Sequence, residues 1–518
     1  MFYGALLLTG ANLVLRLAGM SFQVYLSGRI GAAGVGLLQL VLSVRMLAFT
    51  LGSSGARTCA LYLSAEALGR RRSVRPALSG CIRYCLLFGL PTAAGLWVLT
   101  PRIAGGWIGD PAAESALRAF ALFLPVSCLN GVMTGLFTAA GRLRALVAVE
   151  FLEQGCAIAV TFALLARWAG GEAERACLSV ALGSSAAGAL SLGTLWLLRQ
   201  EGASQGREDR PPWRRVFGLS LPVGLADDLR AGLSTVENLI IPRRLALYAG
   251  TVNAMADYGV LHGMVFPVLM FPTAILASLA DLLVAEFSRC ARRPGQIRVR
   301  YLVRQGLRVS WLFGVCAAGT IFAAARPLGE LLYHSEAAGA CLRLYAPLVP
   351  ILYLDIVVDA MCKGLGQQSA NARYNLLTNL LDVILLWLLL PRFGMGGYYC
   401  SFAVSHLINF ALSLRRLGQS AGFRFTPGPA VKASLCGAAA ALPVFLLRPQ
   451  AGIPGAAVPA GCYLLALFSL WLLFRVVGPR DGRWLLGLLW GGGPCWDPPS
   501  ASSSGRRLSS RKAAEEDH

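Results

Sequence analysis

Fourteen stretches of apolar sequence recur through nearly the whole of this 518-residue chain, each near the ~20 residues that cross a hydrocarbon core about 30 Å thick. They lie at 4–27, 37–64, 80–100, 117–139, 146–168 and 176–198, then at 216–241, 257–287, 305–325, 342–362, 374–391 and 396–414, and finally at 431–447 and 456–475. A segment in lipid must satisfy every backbone N–H and C=O internally, which leaves helices and closed barrels; continuous apolar runs, as opposed to alternating ones, select helices. The sequence therefore predicts an all-α integral membrane protein of about 14 transmembrane helices.

Arginine placement orients the chain. Loop 66–77 carries Arg70, Arg71, Arg72 and Arg75, loop 199–215 carries five arginines from Arg199 to Arg215, and loop 288–304 carries six from Arg289 to Arg304. The intervening loops hold one or two each, such as Arg29, Arg102 and Arg175. The positive-inside rule makes the Arg-rich loops cytoplasmic; with an even helix count both termini are then cytoplasmic. The formal charge of +21 is spread over these loops, so it reads as topology and attraction to anionic lipid, and nucleic acid is excluded as a partner. The first apolar run is interrupted by Arg16 and lacks an A-x-A site, so it reads as a retained helix.

Chemistry-bearing motifs are missing. The 14 cysteines are scattered singly in apolar segments, the four histidines form no ligand cluster, and three lysines with no G-K-[ST] exclude a P-loop. No metal, no cofactor and no enzymatic activity is expected.

An internal repeat organises the helices. A shift of 225 brings Ala139-Ala140-Gly141-Arg142 onto Gly364-Leu365-Gly366-Gln367 and Leu124-Pro125 onto Val349-Pro350; a shift of 223 brings Gly36-Leu37-Leu38-Gln39 onto Gly259-Val260-Leu261-His262. We read an N-lobe of six helices at 1–200, a cytoplasmic linker at 201–215, a C-lobe of six helices at 216–417, two further helices within 418–478 and a cytoplasmic, disordered tail at 479–518. Six helices per lobe give a parallel repeat about an axis along the membrane normal, an arrangement found in transporters.

Charges inside the apolar segments locate the candidate site. An ionisable group at mid-bilayer costs about 2.5–3.5 kcal/mol even on the lenient scale, so it faces protein or water. The set comprises Arg16, Arg45 and Arg230 as substrate-binding cations, and Glu150, Glu153, Asp227, Glu237, Asp355, Asp359 and Asp382 as gating or coupling carboxylates. Helical spacing puts Glu150 with Glu153, Asp227 with Arg230, Arg230 with Glu237, and Asp355 with Asp359 on shared faces. Arg16 or Arg45 is the expected partner of Glu153.

The stretches Leu15-Arg16-Leu17-Ala18-Gly19 and Gly28-Arg29-Ile30-Gly31-Ala32-Ala33-Gly34-Val35-Gly36-Leu37 resemble the opening of the stage V sporulation protein B family. Phe151-Leu152-Glu153-Gln154, Ser220-Leu221-Pro222, Tyr258-Gly259, Phe271-Pro272 and Gly364-Leu365-Gly366-Gln367-Gln368 are similar to its later landmarks. The resemblance spans about residues 1–475 and extends to the multidrug/oligosaccharidyl-lipid/polysaccharide exporter superfamily. It implies two six-helix lobes with two extra helices, alternating access, and a place in the plasma membrane of a bacterium. Arg16 matches the R-x-x-G position, whereas Phe22 or Gln23 stands where lipid II flippases carry another early cation.

The resemblance implies a flippase for a polyprenyl-pyrophosphate-linked oligosaccharide or peptidoglycan precursor, in spore cortex or wall polysaccharide synthesis. Membrane lipids, a coupling ion (H+ or Na+) and cell-wall synthesis enzymes are the other expected partners. The alternative is a cation-coupled multidrug exporter of the multidrug and toxin extrusion type, with Glu153, Asp227, Asp355 and Asp359 as its coupling or drug-binding carboxylates.

Overall fold

The computed structural model describes residues 2–70, 72–168, 172–199, 213–290, 296–446 and 452–478. The expected linker up to residue 212 and the tail from 479 lie outside these residues. Among the described residues the chain is helical throughout: α1 Phe2–Ser53, α2 Ala56–Gly69, α3 Arg75–Arg102, α4 Glu114–Ala139, α5 Leu143–Arg167, α6 Ala173–Leu198, α7 Trp213–Leu245 and α8 Ala254–Gly259. After α8 come α9 Phe266–Met270, α10 Thr273–Cys290, α11 Gln296–Tyr333, α12 Glu336–Tyr345, α13 Val349–Gly364, α14 Gln368–Ala421, α15 Gly428–Ala441 and α16 Gly452–Leu473.

Two of these helices are too long for one crossing. α1 has 52 residues and α14 has 54, or about 78–81 Å at 1.5 Å per residue, against a core of about 30 Å. Each breaks at one glycine in a conformation that L side chains rarely adopt: Gly31 at φ 67° in α1 and Gly394 at φ 57° in α14. Each is therefore two helices joined at a sharp turn, at the junctions expected between 27 and 37 and between 391 and 396.

Nine helices among the described residues have the length and hydropathy to cross a membrane, ten with the broken pair Ala254–Met270 and Thr273–Ser288. Resolving α1 and α14 into two each, and adding charge-bearing α7 and short α15, returns the fourteen segments of the sequence. The second expected helix is interrupted where Ser54 and Gly55 both take positive φ, at 39° and 76°. The eighth is broken by a π-helical turn over Val260–Val265 and again at Pro272, between α9 and α10.

Turn geometry carries the repeat. After α4, the N–H groups of Ala140, Gly141 and Arg142 donate to the carbonyls of Leu136, Thr138 and Phe137; after α13, those of Leu365, Gly366 and Gln367 donate to Met361, Lys363 and Cys362. Every residue of the second set lies 225 after its counterpart, and the two glycines share a left-handed conformation, φ 67° and 75°. The same shift relates Gly109 to His334, at φ 84° and 50°. It also relates the next residues, Asp110 and Ser335, whose side chains accept from Ala112 N–H and Ala338 N–H as helix caps.

Contacts gather the chain into two compact units: a first of Gly10–Pro267 with Asp382–Tyr398, and a second of Met1–Thr9, Val268–Leu381 and Tyr399–His518. Within the first unit the latter half of α1 packs on α8 through paired glycines. A Cβ on Gly36 would meet the Met255 carbonyl and lie 3.2 Å from Gly259 N; a Cβ on Gly259 would meet the Ala32 carbonyl and lie 2.7 Å from Gly36 N. Only hydrogens fit between these backbones.

Candidate functional site

In the first unit α5 presents Glu153 toward α4 and α6. Asn130 Nδ2 on α4 donates to Glu153 Oε2 at 3.4 Å and to Ser191 Oγ on α6 at 3.2 Å, while Ser191 Oγ donates back to Asn130 Oδ1 at 3.3 Å. The nearby cation is Arg45 of α1, within electrostatic reach of Glu153 and stacked on Phe120 with its guanidinium carbon 4.7 Å from the ring centroid. Glu150, one turn before Glu153, is exposed and has Arg57 as its facing cation. Arg45 is one of the two cations, with Arg16, that the sequence offered for Glu153. Arg16 is exposed on α1.

A second polar centre joins α7, α8 and the middle of α14. Glu237 and Asp382 bring their carboxyl groups within interaction range of each other, and Asp382 is only 7% exposed. Beside them, Asn238 Nδ2 donates to Ser43 Oγ at 3.1 Å, Thr235 Oγ1 donates to the Ser43 carbonyl at 3.2 Å, and Tyr258 donates to Asn238 Oδ1 at 3.2 Å. The π turn places His262 in stacking contact with Tyr258, centroids 4.4 Å apart, and its Nε2 3.2 Å from the Tyr398 hydroxyl. Such one-turn insertions widen a helix and occur often at functional sites.

The second unit holds Asp355 and Asp359 on α13, each met by an asparagine from α14. Asn409 Nδ2 donates to both oxygens of Asp355, at 3.1 and 2.9 Å, and Thr378 Oγ1 donates to Asn409 Oδ1 at 3.3 Å. Asn371 donates to Asp359 and accepts from Ser413 Oγ at 2.8 Å.

Eight of the ten sequence-derived site residues thus fall in the first unit and two in the second. The structure brings Glu153 near Arg45 and Glu237 onto Asp382. Among the described residues it forms no ion pair between Asp227 and Arg230 or between Arg230 and Glu237, and Asp227 and Arg230 are exposed. Instead Asp228 buries one oxygen without a hydrogen-bond partner. Sequence reasoning counted ionisable groups and so missed Asn130, Ser191, Asn238, Asn371 and Asn409. An amide inside an apolar run was the available signal. No group of three or more His, Cys, Asp or Glu placed to hold a metal occurs among the described residues.

Long apolar helices, a repeat preserved in turn geometry and charged groups set among those helices define a multi-pass membrane protein with a transporter fold. Residues 2–279 match the family model described as polysaccharide biosynthesis protein, and the chain belongs to that family. It is 23% identical over 413 residues, 77% of this chain and 80% of the relative, to stage V sporulation protein B of Bacillus subtilis (strain 168). Among solved structures, the lipid II flippase MurJ in its inward closed conformation matches with a TM-score of 0.72 at 12% identity, over 91% of this chain and 99% of that one. An inward-facing multidrug resistance MATE family transporter of the MOP superfamily matches with a TM-score of 0.63 at 14% identity, over 80% and 98%.

Proposed function

We propose that this protein is a flippase that carries a polyprenyl-pyrophosphate-linked saccharide, of the kind used for peptidoglycan or other wall polysaccharide, from the cytoplasmic to the outer leaflet by alternating access. The observation that carries this reading is Arg45 held inside the bundle beside Glu153. A guanidinium stays charged and donates bidentate hydrogen bonds to phosphate oxygens, and in the empty protein the carboxylate balances it. An arriving pyrophosphate takes Arg45, with Arg16, and releases Glu153 to its Asn130 donor, which Ser191 holds in place. A ligand shifts a conformational equilibrium only by binding one state better, and this exchange of partners supplies the difference. The lobes 1–200 and 216–417 are the moving bodies, and Glu237 with Asp382 is the coupling site for H+ or Na+. Arg230, Asp227, Asp355 and Asp359 belong to the same proposal as substrate-binding or gating groups.

The proposed setting is a bacterial plasma membrane with both ends of the chain cytoplasmic, in spore cortex or wall synthesis beside the enzymes that make and use the lipid-linked sugar. The decisive experiment is a vesicle assay with a labelled lipid-linked saccharide: Arg16→Ala and Arg45→Ala should each abolish outward translocation at normal protein level, and unchanged transport rejects the assignment. The Glu237–Asp382 pair also suits a cation-coupled exporter of organic cations. A strain without the gene that gains sensitivity to cationic dyes, with no wall or spore defect, would favour that second reading.

A further inference from the structure

Four cations converge on one cavity of the second unit, which Leu354 of α13 also lines. α11 supplies Arg304 and Arg308, one turn apart; α15 supplies Lys432; Arg475 follows the end of α16. The cavity encloses about 360 Å3 and no Asp or Glu lines it, a volume within the range of small-molecule sites. Its other wall is apolar, with Leu307, Trp311, Leu312 and Phe423.

The cations are held there by the packing. Arg308 Nη2 donates to the Val476 carbonyl at 2.7 Å, and Trp311 Nε1 donates to the Ala430 carbonyl at 3.0 Å and Ser434 Oγ at 3.2 Å, tying α11 to α15. Arg475 takes a left-handed φ of 52° and donates its N–H to the Leu472 carbonyl at 3.1 Å, which ends α16 and returns the chain to the cavity. Among the described residues Arg304, Lys432 and Arg475 form no ion pair. Like charges gathered without a carboxylate repel, and a bound anion relieves that repulsion. Topology alone asks only for cations in loops, yet three of these four stand on helices.

We propose that this cavity binds the phosphate headgroup of an anionic glycerophospholipid from the surrounding bilayer. The phosphate lies against Arg304, Lys432 and Arg475, and the glycerol and first acyl carbons lie along Trp311 and Leu312. The apolar wall, at the ends of membrane helices, selects a lipid over a phosphate free in water. The inference requires only that the chain sits in a bilayer and is independent of what it transports.

The test is titration of the purified full-length protein in neutral detergent with dansyl-labelled phosphatidylglycerol. The triple variant Arg304→Gln, Lys432→Gln, Arg475→Gln should weaken binding by about 10- to 100-fold. A control with the same loss of charge, Arg72→Gln, Arg144→Gln, Arg373→Gln, should stay within about twofold of the parent. Unlabelled phosphatidylglycerol should displace the probe, while phosphatidylcholine and millimolar inorganic phosphate should not. Equal weakening in both triples, an unchanged cavity triple, or displacement by inorganic phosphate overturns the proposal. If the cavity triple does not elute as a single species, Arg304→Gln and Lys432→Gln alone should each weaken binding measurably, and no change in either also overturns it. Saccharide transport is read separately in vesicles, so failure here leaves the flippase reading standing.

Discussion

Glu153 shows what one carboxylate inside a bundle needs: an amide donor, itself held by a hydroxyl, and a cation near enough to balance it without locking it. Glu153→Gln keeps the Asn130 contact and removes the charge. It should still bind lipid-linked substrate while shifting cysteine-accessibility labelling toward one face of the membrane; parent-like labelling and transport would make Glu153 a purely structural partner. The asparagines of the second unit serve aspartates in the same way, Asn409 donating to Asp355 and Asn371 to Asp359. Asn371→Leu leaves Asp359 without that donor and should cost about 1–3 kcal/mol of stability, read as earlier thermal inactivation in detergent. At this scale the sequence showed the charges but not their company. A charge stands out in an apolar run because it is expensive there, whereas Asn130 or Ser191 is cheap enough to pass unnoticed. Helical spacing groups residues only within one helix, so Glu237 could be aligned with Arg230 but not with Asp382.

The helices themselves were legible because hydropathy and length are properties of each segment alone. Their interruptions were not: the break at Ser54–Gly55 and the π turn at Val260–Val265 follow from how neighbouring backbones meet. Gly55 shows this, since a Cβ there would meet the Ser220 carbonyl of α7 and lie 3.0 Å from Gly224 N. Gly259→Val should force α8 away from α1, raising maleimide labelling of a cysteine placed by Met255→Cys; unchanged labelling would mean that the seam relaxes around the new side chain. Outside the apolar segments, Glu66 on α2 is bonded to Arg215 on α7 at 2.5 Å and to Arg70 at 3.1 Å. The Arg215 hydrogen bond holds its carboxyl below the usual carboxylate range. A depressed folded value means that the pair's contribution is complete above the unfolded value of about 4.3 and is lost as pH falls through the folded one. Thermal stability should therefore be the same in the parent and in Glu66→Gln at low pH and diverge above about pH 5, with the difference shrinking in high salt.

Across the whole molecule, the shift of 225 seen faintly in the sequence returns as matched turns, since backbone conformation at a helix end tolerates side-chain change better than identity does. One mismatch within that match makes a prediction. Gly109 and His334 stand at equivalent left-handed positions, which a side chain occupies at a cost of about 1–2 kcal/mol. His334→Gly should therefore raise thermal stability slightly, the relief being partly offset by glycine's greater freedom when unfolded, while Gly109→Ala should lower it. The seam between α1 and α8 follows the second shift: Gly36 and Ala32 face Gly259 and Met255, each pair separated by 223 residues. A surface that meets its own counterpart is what a twofold homodimer presents, where residue i touches j and j touches i. In a true dimer one change at such a contact is felt twice; within a single chain Gly36 and Gly259 can each change alone, so a side chain at either one is enough to part the two backbones.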